Sequence, residues 1–159
     1  MNRKTKMITH GAIIAALYVA LTMLANLFGL ASGAVQVRLS EMLTVLPAFT
    51  VAAVPGLTVG CVLANLVTGC ALWDVVFGAV ATLIGALFTR LIGKNNKFLA
   101  TIPPILSNAI IIPFVLQMVY GVKDGFWYLF ATVGLGEVIS CGILGCLLYT
   151  VLKKRNPFS

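Results

Sequence analysis

Glu137 lies in Val133-Gly-Leu-Gly-Glu-Val-Ile-Ser140, a stretch with no other charge. A carboxylate offers two acceptor oxygens and can take a pair of hydrogen bonds from one donor edge of a ligand. Placed near the centre of a bilayer, it costs about 2.5–3.5 kcal/mol on insertion scales, so such a residue is a functional candidate by default. The competing reading is a hydrogen bond to a neighbouring helix. Asn65 and Asn108 interrupt two other apolar runs. A buried amide serves either as interhelical glue or as a ligand contact, and each residue alone leaves the choice open. Together the three polar groups fall at comparable depth on three segments, which points to one enclosed polar pocket.

A second set of polar residues falls at the ends of apolar runs. Val35-Gln36-Val37-Arg38-Leu39 alternates apolar and polar, the pattern of an extended segment with Gln36 and Arg38 on one side. Arg38 and Glu41 are spaced to pair at i, i+3, and an interfacial ion pair explains both without a ligand. Trp73-Asp74 sets a planar ring beside a carboxylate, a combination suited to a flat heterocyclic ligand. Trp127 and Tyr128 read better as interfacial anchors.

Six helices are expected to position these residues. Of 159 residues, 60 % are hydrophobic and only 9 % charged, with a mean hydropathy of +1.06. Soluble domains carry about 25 % charged residues. The chain therefore reads as an all-α integral membrane protein, a single transmembrane domain over 1–159. Helices are expected near Met7–Gly29, Glu41–Ala53, Gly56–Gly69, Asp74–Ile92, Phe98–Tyr120 and Phe126–Leu152. The second and third are short, and Glu41–Gly69 also fits one hairpin that does not fully cross.

Charge supports the count of six. With the N-terminus in the cytoplasm, Arg3, Lys4, Lys6, Arg90, Lys94, Lys97, Lys153, Lys154 and Arg155 all fall inside, and of the eleven Lys and Arg only Arg38 and Lys123 fall outside. Both termini are then cytoplasmic. Glu41, Asp74 and Asp124 fall at outer helix ends. Glu137 lies about eleven residues, or roughly 16 Å, below the outer end of the sixth helix at 1.5 Å per residue. The pocket would thus open to the outside. The net charge of +7 follows from this topology and is no signal for nucleic acid.

Other features are quieter. Cys61, Cys70, Cys141 and Cys146 form no CxxC pair, and most lie in apolar runs as small hydrophobes rather than metal ligands or disulfide partners. The first helix carries Gly11-x-x-x-Ala15 and Ala12-x-x-x-Ala16-x-x-x-Ala20, small residues that let another helix approach closely, whether inside the domain or in a partner. No phosphate-binding loop, HExxH or GxSxG is present, so the chain is not expected to be an enzyme or to bind ATP by the usual route. No metal or cofactor is expected.

Gln36-Val-Arg-Leu-Ser-Glu-Met-Leu-Thr-Val-Leu-Pro47, followed by Gly60-Cys61…Ala64-Asn65 and Asp74…Gly78…Ala81-Thr82-Leu83, resembles the QueT family. These are substrate-binding (S) components of energy-coupling factor (ECF) transporters assigned to queuosine precursors, and the resemblance covers nearly the whole chain. It implies a six-helix cell-membrane protein that captures a trace nutrient from outside. It also implies partners: a transmembrane coupling protein and two ATPase subunits. In S components generally, an AxxxA stripe on the first helix meets the coupling protein, and Ala12, Ala16 and Ala20 match that spacing. Queuosine precursors are 7-deazaguanine bases. Glu137 would accept the two donors of the guanine-like edge, Asn65 and Asn108 would meet its carbonyl and ring nitrogens, and Asp74 or Glu41 would neutralise a cationic aminomethyl arm. Arg38 and Glu41 would fix the loop over the pocket or touch the ligand. The alternatives are an S component for another vitamin or nucleobase, or a small membrane protein outside the ECF class.

Overall fold

The computed structural model describes residues 2–30 and 35–155, and within them all regular structure is helical. Helix α1 spans Arg3–Leu27, α2 Leu39–Ala48, α3 Ala53–Val67, α4 Leu72–Ile92, α5 Lys97–Met118 and α6 Phe126–Arg155. Helices α1, α4, α5 and α6 are long and apolar enough to cross a membrane. Helices α2 and α3 are shorter apolar segments.

Helix α2 is the centre of the assembly and touches all five other helices. Eight of its ten residues are buried, from Ser40 to Ala48 with Met42 the exception in that run. It is a 3₁₀ helix throughout. At about 2.0 Å rise per residue, ten residues reach about 20 Å, against about 15 Å as an α-helix. The tighter winding lets a short segment run from the Arg38 end of the molecule to the Arg90 end. There the Arg90 guanidinium donates to the carbonyls of Pro47 (3.1 Å) and Ala48 (3.4 Å). The expected second helix, starting at Glu41, is thus found two residues earlier, and protein rather than lipid surrounds it.

Small residues let the outer helices close on this centre. A Cβ on Gly56 would lie 2.7 Å from the Gly11 carbonyl oxygen, and one on Gly60 would lie 2.8 Å from Tyr18 Cβ and 3.0 Å from Ala15 Cα. Gly11 and Ala15 of α1 therefore meet Gly56 and Gly60 of α3 backbone to backbone. Ala12, Ala16 and Ala20, each about 100° further round, lie on an exposed face of α1. The two small-residue stripes read from the sequence are thus separated: one closes the α1–α3 crossing and the other faces out.

Helix α6 carries a π-helical stretch, Val138–Leu144, between two α-helical parts. Its Tyr149 hydroxyl lies 3.0 Å from the Gly93 carbonyl and 2.8 Å from that of Lys94, which ties its C-terminal part to the α4–α5 turn. Lys153 reaches the Asn95 carbonyl at 3.4 Å. The basic residues of 90–97 and 153–155 therefore share one end of the molecule. Gly60→Leu is expected to lower stability by about 1–3 kcal/mol through overpacking at the α1–α3 crossing. Ala16→Leu on the open face should leave the thermal midpoint in detergent unchanged.

Candidate functional site

A cavity of about 460 Å³ opens at the end away from the basic residues of 90–97 and 153–155. Its wall includes Tyr18, Thr22 and Asn26 of α1, Gln36, Arg38 and Ser40 before and within α2, Asn65 and Thr68 of α3, Asp74 of α4, and Glu137 of α6. Tyr120 and Val122 close it beyond α5. The volume falls in the range of roughly 300–1,000 Å³ usual for small-ligand sites.

Glu41 lies beneath this wall. It is 1 % exposed, so its carboxylate must be satisfied by protein. The Tyr18 hydroxyl donates to Oε1, and Asn108 Nδ2 donates to Oε2 at 3.4 Å. Three helices, α1, α2 and α5, meet at this one side chain. Both its oxygens are engaged with these partners rather than with Arg38 as an i, i+3 pair. The Thr44 hydroxyl donates back to the Glu41 carbonyl at 2.6 Å and lies 3.1 Å from Cys141 Sγ, which carries the network on to α6.

The segment before α2 lies directly on α6. A Cβ on Gly136 would fall 2.1 Å from the Gln36 carbonyl oxygen, so any side chain there would displace this segment. The Arg38 amide donates to Ser140 Oγ at 3.1 Å, and Ser140 Oγ donates to the Gly136 carbonyl at 2.9 Å. The Val37 amide bonds the Leu30 carbonyl at 2.9 Å. Arg38 itself is extended, with φ −98° and ψ 100°. Residues 31–34, the rest of the α1–α2 connection, lie outside the described residues.

Glu137 stands between these anchor points, at the start of the π-helical stretch. It is 6 % exposed and lines the cavity, and its Oε2 has no hydrogen-bond partner among the described residues. Arg38, Glu41 and Asn108 contribute to its electrostatic surroundings. A buried oxygen left without a donor calls for an explanation, and a ligand that brings the donor is one. Across the cavity, Tyr120 donates to Asp74 Oδ2 at 3.0 Å and accepts from the Ala71 amide at 3.1 Å. Burial is the main cause that raises the Tyr120 pKa above its ordinary value, so the phenol stays protonated and remains a donor. Asn65 Nδ2 lies 3.5 Å from the Asp74 carbonyl and 3.8 Å from Cys61 Sγ.

The structure thus brings Gln36, Arg38, Asn65, Asp74 and Glu137 together around one cavity. Glu41 and Asn108 form a second layer behind it. Trp73 stands apart: it is 61 % exposed and stacks on Phe77 with ring centroids 6.1 Å apart.

Comparison with known proteins settles the family. The model of the QueT transporter family matches residues 8–154. The chain belongs to the QueT transporter family. It is 31 % identical to the queuosine precursor transporter QueT of Lactococcus lactis subsp. cremoris (strain MG1363), with 98 % of this chain and 97 % of the relative aligned. No solved structure gives a significant match. As a member of this family the chain is a multi-pass membrane protein of transport rather than an enzyme.

Several cavity residues of this QueT member did not stand out in the sequence. Tyr18 carried a usable signal, because a tyrosine in mid-helix, away from the interfacial belt, needs a partner for its hydroxyl. Thr22 and Asn26 follow it at i+4 and i+8 on the same face. Ser40 and Tyr120 gave none, being polar residues at segment ends like many others. Tyr18→Phe is expected to leave one Glu41 oxygen unsatisfied and to lower stability by about 1–3 kcal/mol. Thermal unfolding in detergent checks this, with Tyr128→Phe at the exposed end of α6 as the control expected to match wild type.

Proposed function

We propose that this chain is the substrate-capture subunit of an ECF-type importer and binds a 7-deazaguanine queuosine precursor from outside the cell. The observation that carries the reading is Glu137 Oε2, a buried acceptor without a hydrogen-bond partner among the described residues, on a side chain that lines the open cavity. The guanine-like edge of a deazaguanine presents two adjacent donors, and a carboxylate accepts such a pair in one plane. Asn65 supplies an amide to the base from the same wall. Asn108 holds the second carboxylate, Glu41, in place behind it, and Gln36 and Arg38 close the cavity from the α1–α2 side.

Orientation follows from charge. The lysine-rich end takes the cytoplasmic side under the positive-inside rule, with both termini there, and the cavity at the other end then opens outward. Helices α2 and α3, short as they are, serve as the second and third crossings, so the chain crosses six times as a single transmembrane domain over 1–159, although among the described residues only four helices have full spanning length. The exposed stripe Ala12, Ala16 and Ala20 is where the transmembrane coupling protein docks, and that protein brings two ATPase subunits. The relative's name as a queuosine precursor transporter supports the substrate class.

Calorimetry on the purified chain with 7-aminomethyl-7-deazaguanine and queuine tests the reading, with guanine, riboflavin and thiamine as controls. Tight binding confined to the deazaguanines is expected. Glu137→Gln, which turns one acceptor into a donor, is expected to weaken binding on the order of 10- to 100-fold, the range of a charge-assisted hydrogen bond. No binding by folded protein, or unchanged affinity in the variant, contradicts the assignment.

A further inference from the structure

The wall of the cavity carries more acid than base. Among the described lining residues, Asp74 and Glu137 are acidic and Arg38 is the one base. Lys123 adjoins the lining residue Val122 but is exposed and does not line the cavity, and Asp124 follows it directly. Arg38 is the single cation for this wall among the described residues. Its backbone is fixed to Ser140, three residues after Glu137, and it acts electrostatically on Glu41 and Glu137. Arg38 thus faces three carboxylates, Glu41, Glu137 and Asp74, and one guanidinium cannot neutralise them all.

Asp74 is held for contact rather than buried as structure. It is 6 % exposed yet lines the cavity, and Oδ2 takes the Tyr120 hydroxyl at 3.0 Å. That hydroxyl is itself positioned by the Ala71 amide, and Asn65 reaches the Asp74 backbone carbonyl. Gly78 makes room for the Asn65 amide, since a Cβ there would sit 3.0 Å from its Nδ2. A carboxylate fixed in this way at one wall, with a second unpaired carboxylate oxygen at another, makes a site for a ligand that is a donor at one edge and a cation at the other.

We infer that the occupant carries a positive charge seated against Asp74, and that Asp74 is the residue by which the cavity selects a cationic ligand over a neutral one of the same shape. The inference rests on the deazaguanine reading and adds a specificity to it. The base edge faces Glu137 and is common to all deazaguanines. The substituent at the 7-position faces Asp74 and differs among them. An aminomethyl arm is cationic and pairs with the carboxylate. A cyano group is neutral and would leave that carboxylate desolvated without a counter-charge.

The test compares 7-aminomethyl-7-deazaguanine with 7-cyano-7-deazaguanine by calorimetry on wild type, Asp74→Asn and Tyr120→Phe. Wild type is expected to prefer the amine by about 10-fold or more, the scale of one charge-assisted hydrogen bond. Asp74→Asn should weaken the amine and leave the cyano compound nearly unchanged, so that the preference disappears. Tyr120→Phe keeps the carboxylate but removes the donor that fixes it, and should narrow the preference less than Asp74→Asn does. Equal affinity of wild type for the two compounds overturns the inference while leaving the deazaguanine reading intact. So does an equal loss for both in Asp74→Asn, which would make Asp74 a packing residue. Failure of folded wild type to bind either compound removes the deazaguanine reading and this inference with it.

Discussion

A carboxylate withdrawn from water inside an apolar body must find its hydrogen bonds in the protein, and Glu41 finds them on two other helices. Tyr18 of α1 and Asn108 of α5 each occupy one of its oxygens. Loss of either partner strands a buried acceptor, at a cost of about 1–3 kcal/mol or more when the group is charged. That constraint fixes α2 in depth and rotation between α1 and α5. The rest follows from it, because α2 is the segment every other helix packs upon.

Once α2 is fixed, the residues before it have little freedom. Arg38 and Gln36 must lie against α6, and Gly136 is the position that admits them. Ser140 receives the Arg38 amide, and the π-helical turn beside it alters the register of α6 just after Glu137. π-turns inside α-helices are frequent at functional sites, where the widened turn redirects a side chain. Glu137 is left at the cavity wall with an oxygen that nothing fills. The two glutamates thus differ despite similar burial: both oxygens of Glu41 have partners in the fold, and one oxygen of Glu137 has none among the described residues.

The sequence made Glu137 easier to read than Glu41. Glu137, Asn65 and Asp74 each interrupt or flank an apolar run, and depth along a helix can be counted at 1.5 Å per residue. Gln36 and Arg38 alternate with apolar residues, and both reach the cavity. Glu41 was harder, because counting placed it at an outer helix end. The extended segment before α2 instead lies along α6 and brings Glu41 in beside Tyr18 and Asn108, and a residue count does not reveal how deep such a segment runs. Trp73 had the right neighbour in Asp74, yet consecutive helical residues point about 100° apart, so the carboxylate faces the cavity while the ring faces outward. The small residues of α1 lay on two faces separable by periodicity, but only packing identifies which one α3 covers.

The claim on which the functional account depends is that Glu137 accepts the donor edge of the bound base. It is tested most directly by comparing 7-aminomethyl-7-deazaguanine with its analogue lacking the 2-amino group, bound to wild type and to Glu137→Ala in a double-mutant cycle. The account predicts that wild type loses about 10-fold or more in affinity when that donor is removed, and that the variant, having no carboxylate to pair with it, loses almost nothing. Equal affinity of wild type for the two compounds, or the same loss in both proteins, would contradict it.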